Sequence, residues 1–417
     1  MTTSDRPATA FVWAWLPETS TPVVAGRIDA LGDTFSFTYG RSYLARPDAI
    51  ALYLPELPLR PGRILPVRDL TVASCLRDAG PDAWGQRVIL ARRTGRPDAQ
   101  SDTGTLSVLT YLLDSGSDRI GGLDFQASAD TYTPREADHP TLELMQDAAD
   151  RLAAGDVLPA ALAEALLRGT SIGGARPKVT LLDEGDRPVI AKLSTQTDTY
   201  PVVRYEAVAM ELARRVGIET ARTRLTTSLG KDVLLVDRFD RPGDRTRTMM
   251  VSALTILGLD EFTGARYASY LDLADQVRGR FTQATATLAE LFRRLVFNIC
   301  VSNTDDHARN HSAFWDGTAL TLTPAYDISP SMRTGDTASQ AMALTRDGRR
   351  DSRLDLCRLT ASEYLLTAKA AEQIIDEVVT GIESAFDDVA ELIRLTALEH
   401  SQLWRRLILH PSVHYSA

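Results

Sequence analysis

Apolar residues recur at Leu288, Leu291, Phe292, Leu295, Val296 and Ile299, the spacing of one helix face, and the chain then runs without a break into VSNTDDHARNHSAF at 301–314. A helix with such a stripe is buried. It therefore delivers Asn303, Asp305, Asp306, His307, Asn310 and His311 to a place where polar groups need partners. Three arrangements suit that crowd: a metal site, a phosphoryl-transfer site, or a hydrogen-bonded structural turn.

The rest of the chain narrows the choice. Its 417 residues exceed one ordinary core and imply two or three domains. A content of 44% hydrophobic and 24% charged residues is that of a globular protein. The net charge of -9 argues against coating nucleic acid by bulk electrostatics. RRTGR (92–96) and RDGRR (346–350) are short enough to read as solvated faces. No apolar run reaches the roughly 18–20 residues of a membrane span, and MTTSDRPATAF lacks the basic-then-apolar pattern of a leader, so a cytoplasmic, membrane-free protein is expected. Cys75, Cys300 and Cys357 lie far apart with no CxxC, which disfavours a disulfide framework or zinc knuckle.

The start reads as β-rich, with FVWAW (11–15), VVAGRI (23–28) and TFSFTY (34–39) separated by Pro and Gly signals. Pro81 and Asp82 open a helix through Ile89, with Trp84 as a packing anchor. A β-rich domain over 1–125, a polar linker over 126–140 and a second domain over 141–417 follow from the composition. Within the second, PTLELMQDAADRLAAG and PAALAEALLRG predict helices. KVTLL (178–182) and PVIAKLS (188–194) predict a strand pair turning at DEGDR. Residues 202–216 predict a helix and DVLLVDRFDR (232–241) a third strand.

Four stretches could carry chemistry. GTSIGGARPK (169–178) is a Gly-rich turn whose Gly173 and Gly174 would let the backbone approach a phosphate, with Arg176 or Lys178 adding charge; a plain turn explains it equally well in isolation. Lys192, in VIAKLS, precedes a helix carrying Glu206, as a phosphate-holding lysine does in kinases, or it snorkels at a sheet rim. Asp305 and Asn310 have the separation of Asp and Asn in HRDxxxxN, while a capping turn is the bland alternative. In LTPAYDISPS (322–331), Asp327 follows FWDGTALTL, a hairpin through Asp316-Gly317 that would bring it back beside the loop, where a metal ion could sit between it and Asn310; an Asp that merely caps the turn is the bland alternative.

Taken together, SIGGARPK, VIAKL, LLVDRFDR, SNTDDHARNHS and PAYDISPS resemble, in order and approximate spacing, the HipA family of type II toxin–antitoxin serine/threonine protein kinases, and GPDAWGQRVI resembles a turn of that family's N-terminal domain. The resemblance implies an α+β fold: a small β-rich N-terminal domain packed on a protein-kinase-like domain, with a nucleotide lobe near 165–240 and a largely helical lobe near 245–417. It implies ATP and Mg²⁺ as cofactors, Asp305 as the catalytic aspartate, Asn310 and Asp327 as metal ligands, and Lys192 on the nucleotide phosphates. Gly173, Gly174, Lys178 and His307 would also lie near the nucleotide, and 234–237, with Leu234, Val236 and Asp237, would be the hinge beside adenine. Ser171 would be the autophosphorylated loop serine, with Thr170 as the neighbouring choice. The implied partners are a protein substrate, such as an aminoacyl-tRNA synthetase, and a DNA-binding antitoxin of HipB type. Strong direct nucleic-acid binding is not expected of so acidic a chain.

Two rivals remain at this point. His307 and His311, placed at i, i+4 on a helical face with Asp305, Asp306 and Asp327, could serve a metal-dependent phosphohydrolase. A catalytically silent protein keeping a kinase fold is the other.

Overall fold

The Val-, Phe- and Trp-rich runs near the start become strands β1 (Thr9–Ala14), β2 (Val23–Leu31) and β3 (Thr34–Tyr39). With β4 (Arg63–Ile64) and β5 (Leu123–Gln126) they form an antiparallel sheet of order β4-β3-β2-β1-β5. This computed structural model describes residues 7–94, 103–135, 140–156, 159, 162, 163, 166, 176–243 and 245–415. Gly26 of β2 allows the closest strand approach: a Cβ there would stand 2.3 Å from Thr38 O and 2.6 Å from Phe37 Cζ. Gly26→Ala should therefore cost about 1–3 kcal/mol of stability; an unchanged melting temperature would refute this tight fit.

The chain divides into two compact units, one of residues 1–199, 226–251 and 314–318, the other of 200–225, 252–313 and 319–417. A second sheet, of order β6-β7-β9-β8, is built from β6 (Lys178–Leu182), β7 (Pro188–Leu193), β8 (Thr223–Ser228) and β9 (Lys231–Asp237). The DEGDR turn closes as expected, with Asp183 N–H donating to Arg187 O at 2.9 Å. Strand β8, TRLTTS, escapes sequence reading because it is an edge strand of mostly half-buried polar residues, without an alternating apolar face.

One face of this second sheet presents Val179, Ala191, Leu193 and Val233 to a core shared with Trp84, Val88 and Ile89 of helix Ala83–Thr94 and with Met145, Ala148, Ala149 and Leu152 of helix Leu142–Ala154. Trp84 is the anchor its sequence context implied. Its helix begins where Asp82 Oδ1 accepts from Gly85 N–H at 2.8 Å and runs beyond Ile89 to Thr94. Helix Leu142–Ala154 is capped by Thr141 and stopped by Gly155 at φ +82°. The helix expected over PAALAEALLRG lies mostly outside the described residues.

This unit also buries charge. Arg119, fully buried, donates through Nε to Asp124 at 2.7 Å and through Nη1 to Ala79 O at 3.0 Å. Just beyond β9, Arg238 makes a two-pronged bond to Asp240 (2.7 and 2.8 Å) and reaches Arg119 O at 2.7 Å. Asp240 also accepts from Gly121 N–H at 2.7 Å and from Arg241 at 2.8 Å. The VDRFDR motif is thus an ionic tie between the end of β9 and the segment leading into β5.

The second unit is mainly helical. Helix Ala284–Cys300 is its buried axis, with Leu288, Leu291, Phe292, Leu295, Val296 and Ile299 no more than 1% exposed. Helices Val202–Arg215, Tyr270–Arg280 and Ala368–Ile393 belong to the same unit. No helix among the described residues is long and apolar enough to cross a membrane.

Candidate active site

Register decides which residues of the second sheet share a face. Lys178 pairs directly with Lys192, Lys192 with Leu234, and Ile190 with Val236. Directly opposed residues point to the same side, so Lys178, Lys192, Leu234 and Val236 lie together on the face opposite the Trp84 core. Two lysines side by side concentrate positive charge there. Lys178 is buried and Lys192 half-buried. Asp237 pairs with Val189, so its side chain projects from the other face. Ser171, Gly173 and Gly174, together with Thr170, lie outside the described residues.

In the second unit, the axial helix ends at Cys300 and the chain enters the polar loop through Ser302, held at φ +54°. Asp305 is exposed, whereas Asp306 is 2% exposed and Asn310 8%. The Asn310 amide donates from Nδ2 to Asp305 O at 3.2 Å. Its Oδ1 is thereby turned into the acceptor role, since the amide orientation is set by that bond. Asp306 is held from below: its Oδ2 accepts from the Tyr270 hydroxyl and from Asn298 Nδ2 at 2.8 Å, and lies 3.0 Å from His311 Nε2. Asn303 extends the network by donating to Asn298 Oδ1 at 3.0 Å.

These bonds correct the proposed helical face of histidines. Residues 308–310 form a single 3₁₀ turn, flanked by His307 and His311 in extended conformations. His311 is 3% exposed and turned onto Asp306. Among the described residues no group of three or more His, Cys, Asp or Glu side chains is arranged to hold a metal. The phosphohydrolase arrangement is not formed, because its proposed ligands His311 and Asp306 bond to one another inside the structure.

The return of Asp327 follows the expected route. Gly317 at φ +101° reverses the chain after strand Ser312–Trp315, and Thr323 N–H bonds Ser312 O at 3.0 Å. Tyr326 then donates to Arg309 O at 2.7 Å and meets Ser312 Oγ at 2.6 Å, while Ser331 N–H donates to Ser302 O at 2.9 Å. Asp327, between these two attachments, adopts φ +61°. Aspartate accepts this left-handed backbone more readily than most side chains do.

A later segment, undetected in the sequence, secures the base of the loop. Leu409 N–H donates to Cys300 O at 2.6 Å and the Ser302 hydroxyl donates to Leu407 O. Arg333 bridges Ser302 Oγ (3.2 Å) and Ser412 Oγ (2.8 Å). No local pattern announces these bonds, since they join segments at least 31 positions apart.

The profile of the HipA-like C-terminal domain matches residues 170–386. Over 252 residues the chain is 27% identical to Y4mE of Sinorhizobium fredii, a protein named as a kinase, covering 56% of this chain and 58% of that protein. It is 24% identical over 189 residues to the serine/threonine-protein kinase toxin HipA of Shewanella oneidensis, covering 38% and 42% of the two. The chain thus spans about half the length of the curated relatives it matches. Among solved structures, it resembles a chain of the Shewanella oneidensis HipA, HipB and operator DNA complex, with a TM-score of 0.67, 18% identity, and coverage of 95% of this chain and 98% of that one. That likeness establishes the α+β fold, with its sheet-rich N-terminal region and helical C-terminal region.

Proposed function

Because the chain belongs to the family of HipA-like C-terminal domains, we propose that it is an ATP- and Mg²⁺-dependent protein serine/threonine kinase of the HipA toxin type. One observation carries the reading: the Asn310 amide is fixed by the Asp305 carbonyl with its oxygen left to accept, and Tyr326 and Ser331 fasten the Asp327 segment to the same loop. An amide oxygen and a carboxylate are the hard donors that Mg²⁺ takes from proteins while substrate phosphates and water complete its shell. The donor set therefore fits.

In this reading Asp305, the exposed carboxylate, orients the acceptor hydroxyl and takes its proton. Asn310 and Asp327 would hold Mg²⁺, which supplies charge neutralisation for the transferring phosphoryl group. Lys192 and Lys178, opposed on one sheet face, attract the phosphates, and Leu234 and Val236 on that face give the base an apolar neighbour. His307, half-buried, stands beside Asp306 at the start of the turn. Gly173, Gly174 and an autophosphorylated Ser171 complete the proposal. Residues 1–125 serve as a brace for the nucleotide lobe, joined to it by the 126–140 linker. The chain acts on a protein hydroxyl, such as one of an aminoacyl-tRNA synthetase, and is restrained by a HipB-type antitoxin, a partner supported by the HipB present in the similar Shewanella oneidensis complex.

Incubation with Mg²⁺ and γ-labelled ATP, followed by intact mass and phosphosite mapping, tests this against an Asp305→Asn control. Phosphate gained by the wild type alone is expected. Phosphoester hydrolysis without transfer would overturn the assignment, and an autophosphate on Thr170 would displace Ser171 without touching the kinase reading.

A further inference from the structure

The loop bears two kinds of residue in alternation. Asp305 and Asn310 are the pair with assigned chemistry, and each is followed directly by a buried residue, Asp306 and His311, whose side chains meet at 3.0 Å. That contact closes the neck of the 305–310 turn immediately behind both functional residues. From this juxtaposition we propose that Asp306 is a positioning residue, a buried carboxylate that Tyr270, Asn298 and His311 pin in place so that Asp305 faces outward and Asn310 stays aligned. The inference rests on the kinase reading above.

The three anchors come from separate elements. Tyr270 opens helix Tyr270–Arg280, Asn298 lies in the last turn of helix Ala284–Cys300, and His311 leads into strand Ser312–Trp315. The Tyr270 ring also meets the His311 ring edge-on, with centroids 5.6 Å apart at 76°. His311 is secured through its backbone as well, its carbonyl accepting from Ala253 N–H at 2.7 Å. A side chain needed only to fill space here would be apolar, because burying a carboxylate is costly even when every bond is made. What the carboxylate adds is direction: one oxygen with three partners fixes the peptide on which Asp305 sits. Misplacement by about 1 Å is enough to lower turnover some 10²-fold.

Tyr270→Phe removes a single hydroxyl from this cluster and keeps the ring. Asp306→Asn keeps the shape and puts an amide where an acceptor is needed. In the full chain at a temperature well below melting, Tyr270→Phe should lower kcat about 10-fold and Asp306→Asn about 10²-fold, the range seen when groups behind a functional ligand are removed. Affinity for ATP, measured by calorimetry without Mg²⁺, should stay within about twofold of the wild type. Hydrogen exchange should quicken over 303–311 and not across helix Ala368–Ile393. Should Asp306→Asn fail to fold, Tyr270→Phe carries the test. A wild type that transfers no phosphate overturns the kinase reading and this inference with it. A wild type that transfers phosphate beside a Tyr270→Phe variant with unchanged kcat and unchanged exchange overturns the inference alone.

Discussion

Asp327→Asn should lower phosphoryl transfer by at least about 10²–10³-fold, the loss typical of removing one electrostatic stabiliser from a reacting centre. The substitution preserves size, and the left-handed φ of +61° at this position is among those that Asn accepts readily, so the fold should survive. What disappears is a formal negative charge beside the Asn310 oxygen's loop. Raising Mg²⁺ should recover part of the activity, because on the proposed assignment the lost term is metal affinity. Asp305→Asn should behave differently: a loss of about 10²–10⁴-fold, as for removal of a general base, with no recovery at high Mg²⁺. A steady-state Mg²⁺ titration of both variants separates the roles, and near-normal turnover in either one is incompatible with its assignment.

The largest stability effect is expected at Asp240. Its side chain is 3% exposed and answers Arg238, itself 1% exposed, as well as Arg241. Removing one member of a buried pair costs about 3–5 kcal/mol because the remaining charge stays out of water. Asp240→Asn should therefore shift the urea midpoint strongly. Asp29→Asn, which breaks the Arg27–Asp29 pair with its 54% exposed arginine, should cost no more than about 1 kcal/mol. Equal shifts for the two would contradict the difference in burial. The same cluster contributes to the response to acid. Burial alone would raise the Asp240 carboxyl, but Arg238 and Arg241 outweigh it and hold the group at about 2, and Asp118 is lowered by the same arginines against its own desolvation. Depressed carboxyls contribute stability that is fully present above their unfolded value of about 4 and is lost as pH falls through the folded value. Unfolding between about pH 4 and 2 should therefore be less steep in Asp240→Asn than in the wild type, measured by circular dichroism.

Periodicity made the axial helix legible, because a buried stripe such as Leu288 to Ile299 repeats every three or four residues whatever surrounds it. The strands VIAKL and DVLLVD were legible for a related reason, as was the return of Asp327, since Asp316-Gly317 is a local turn signal. Asp306 was not separable from Asp305 in this way. Two adjacent aspartates look alike in a sequence, and it takes the meeting of Tyr270, 36 positions earlier, with Asn298 and His311 to bury the second of them. The Arg238–Asp240 tie was hidden for the same reason: VDRFDR shows the charges, while the partners at Arg119 and Gly121 lie about 120 positions away. Burial of apolar residues follows from local pattern, but burial and pairing of polar groups depend on which distant segments the fold brings together.

The anchorage of Ser302 and Cys300 by Leu407 and Leu409 has a consequence in time. Ser302 and Leu407 are separated by 105 positions, which at roughly 5–20 residues per second amounts to about 5–20 s of synthesis. Throughout that interval a nascent chain carries Asp305, Asn310 and Asp327 without the segment that steadies the base of their loop. On the kinase reading, a translation product broken off before Leu407 would contain Asp305, Asn310 and Asp327 and would still transfer phosphate poorly, because the base of their loop is fastened only when synthesis reaches Leu407.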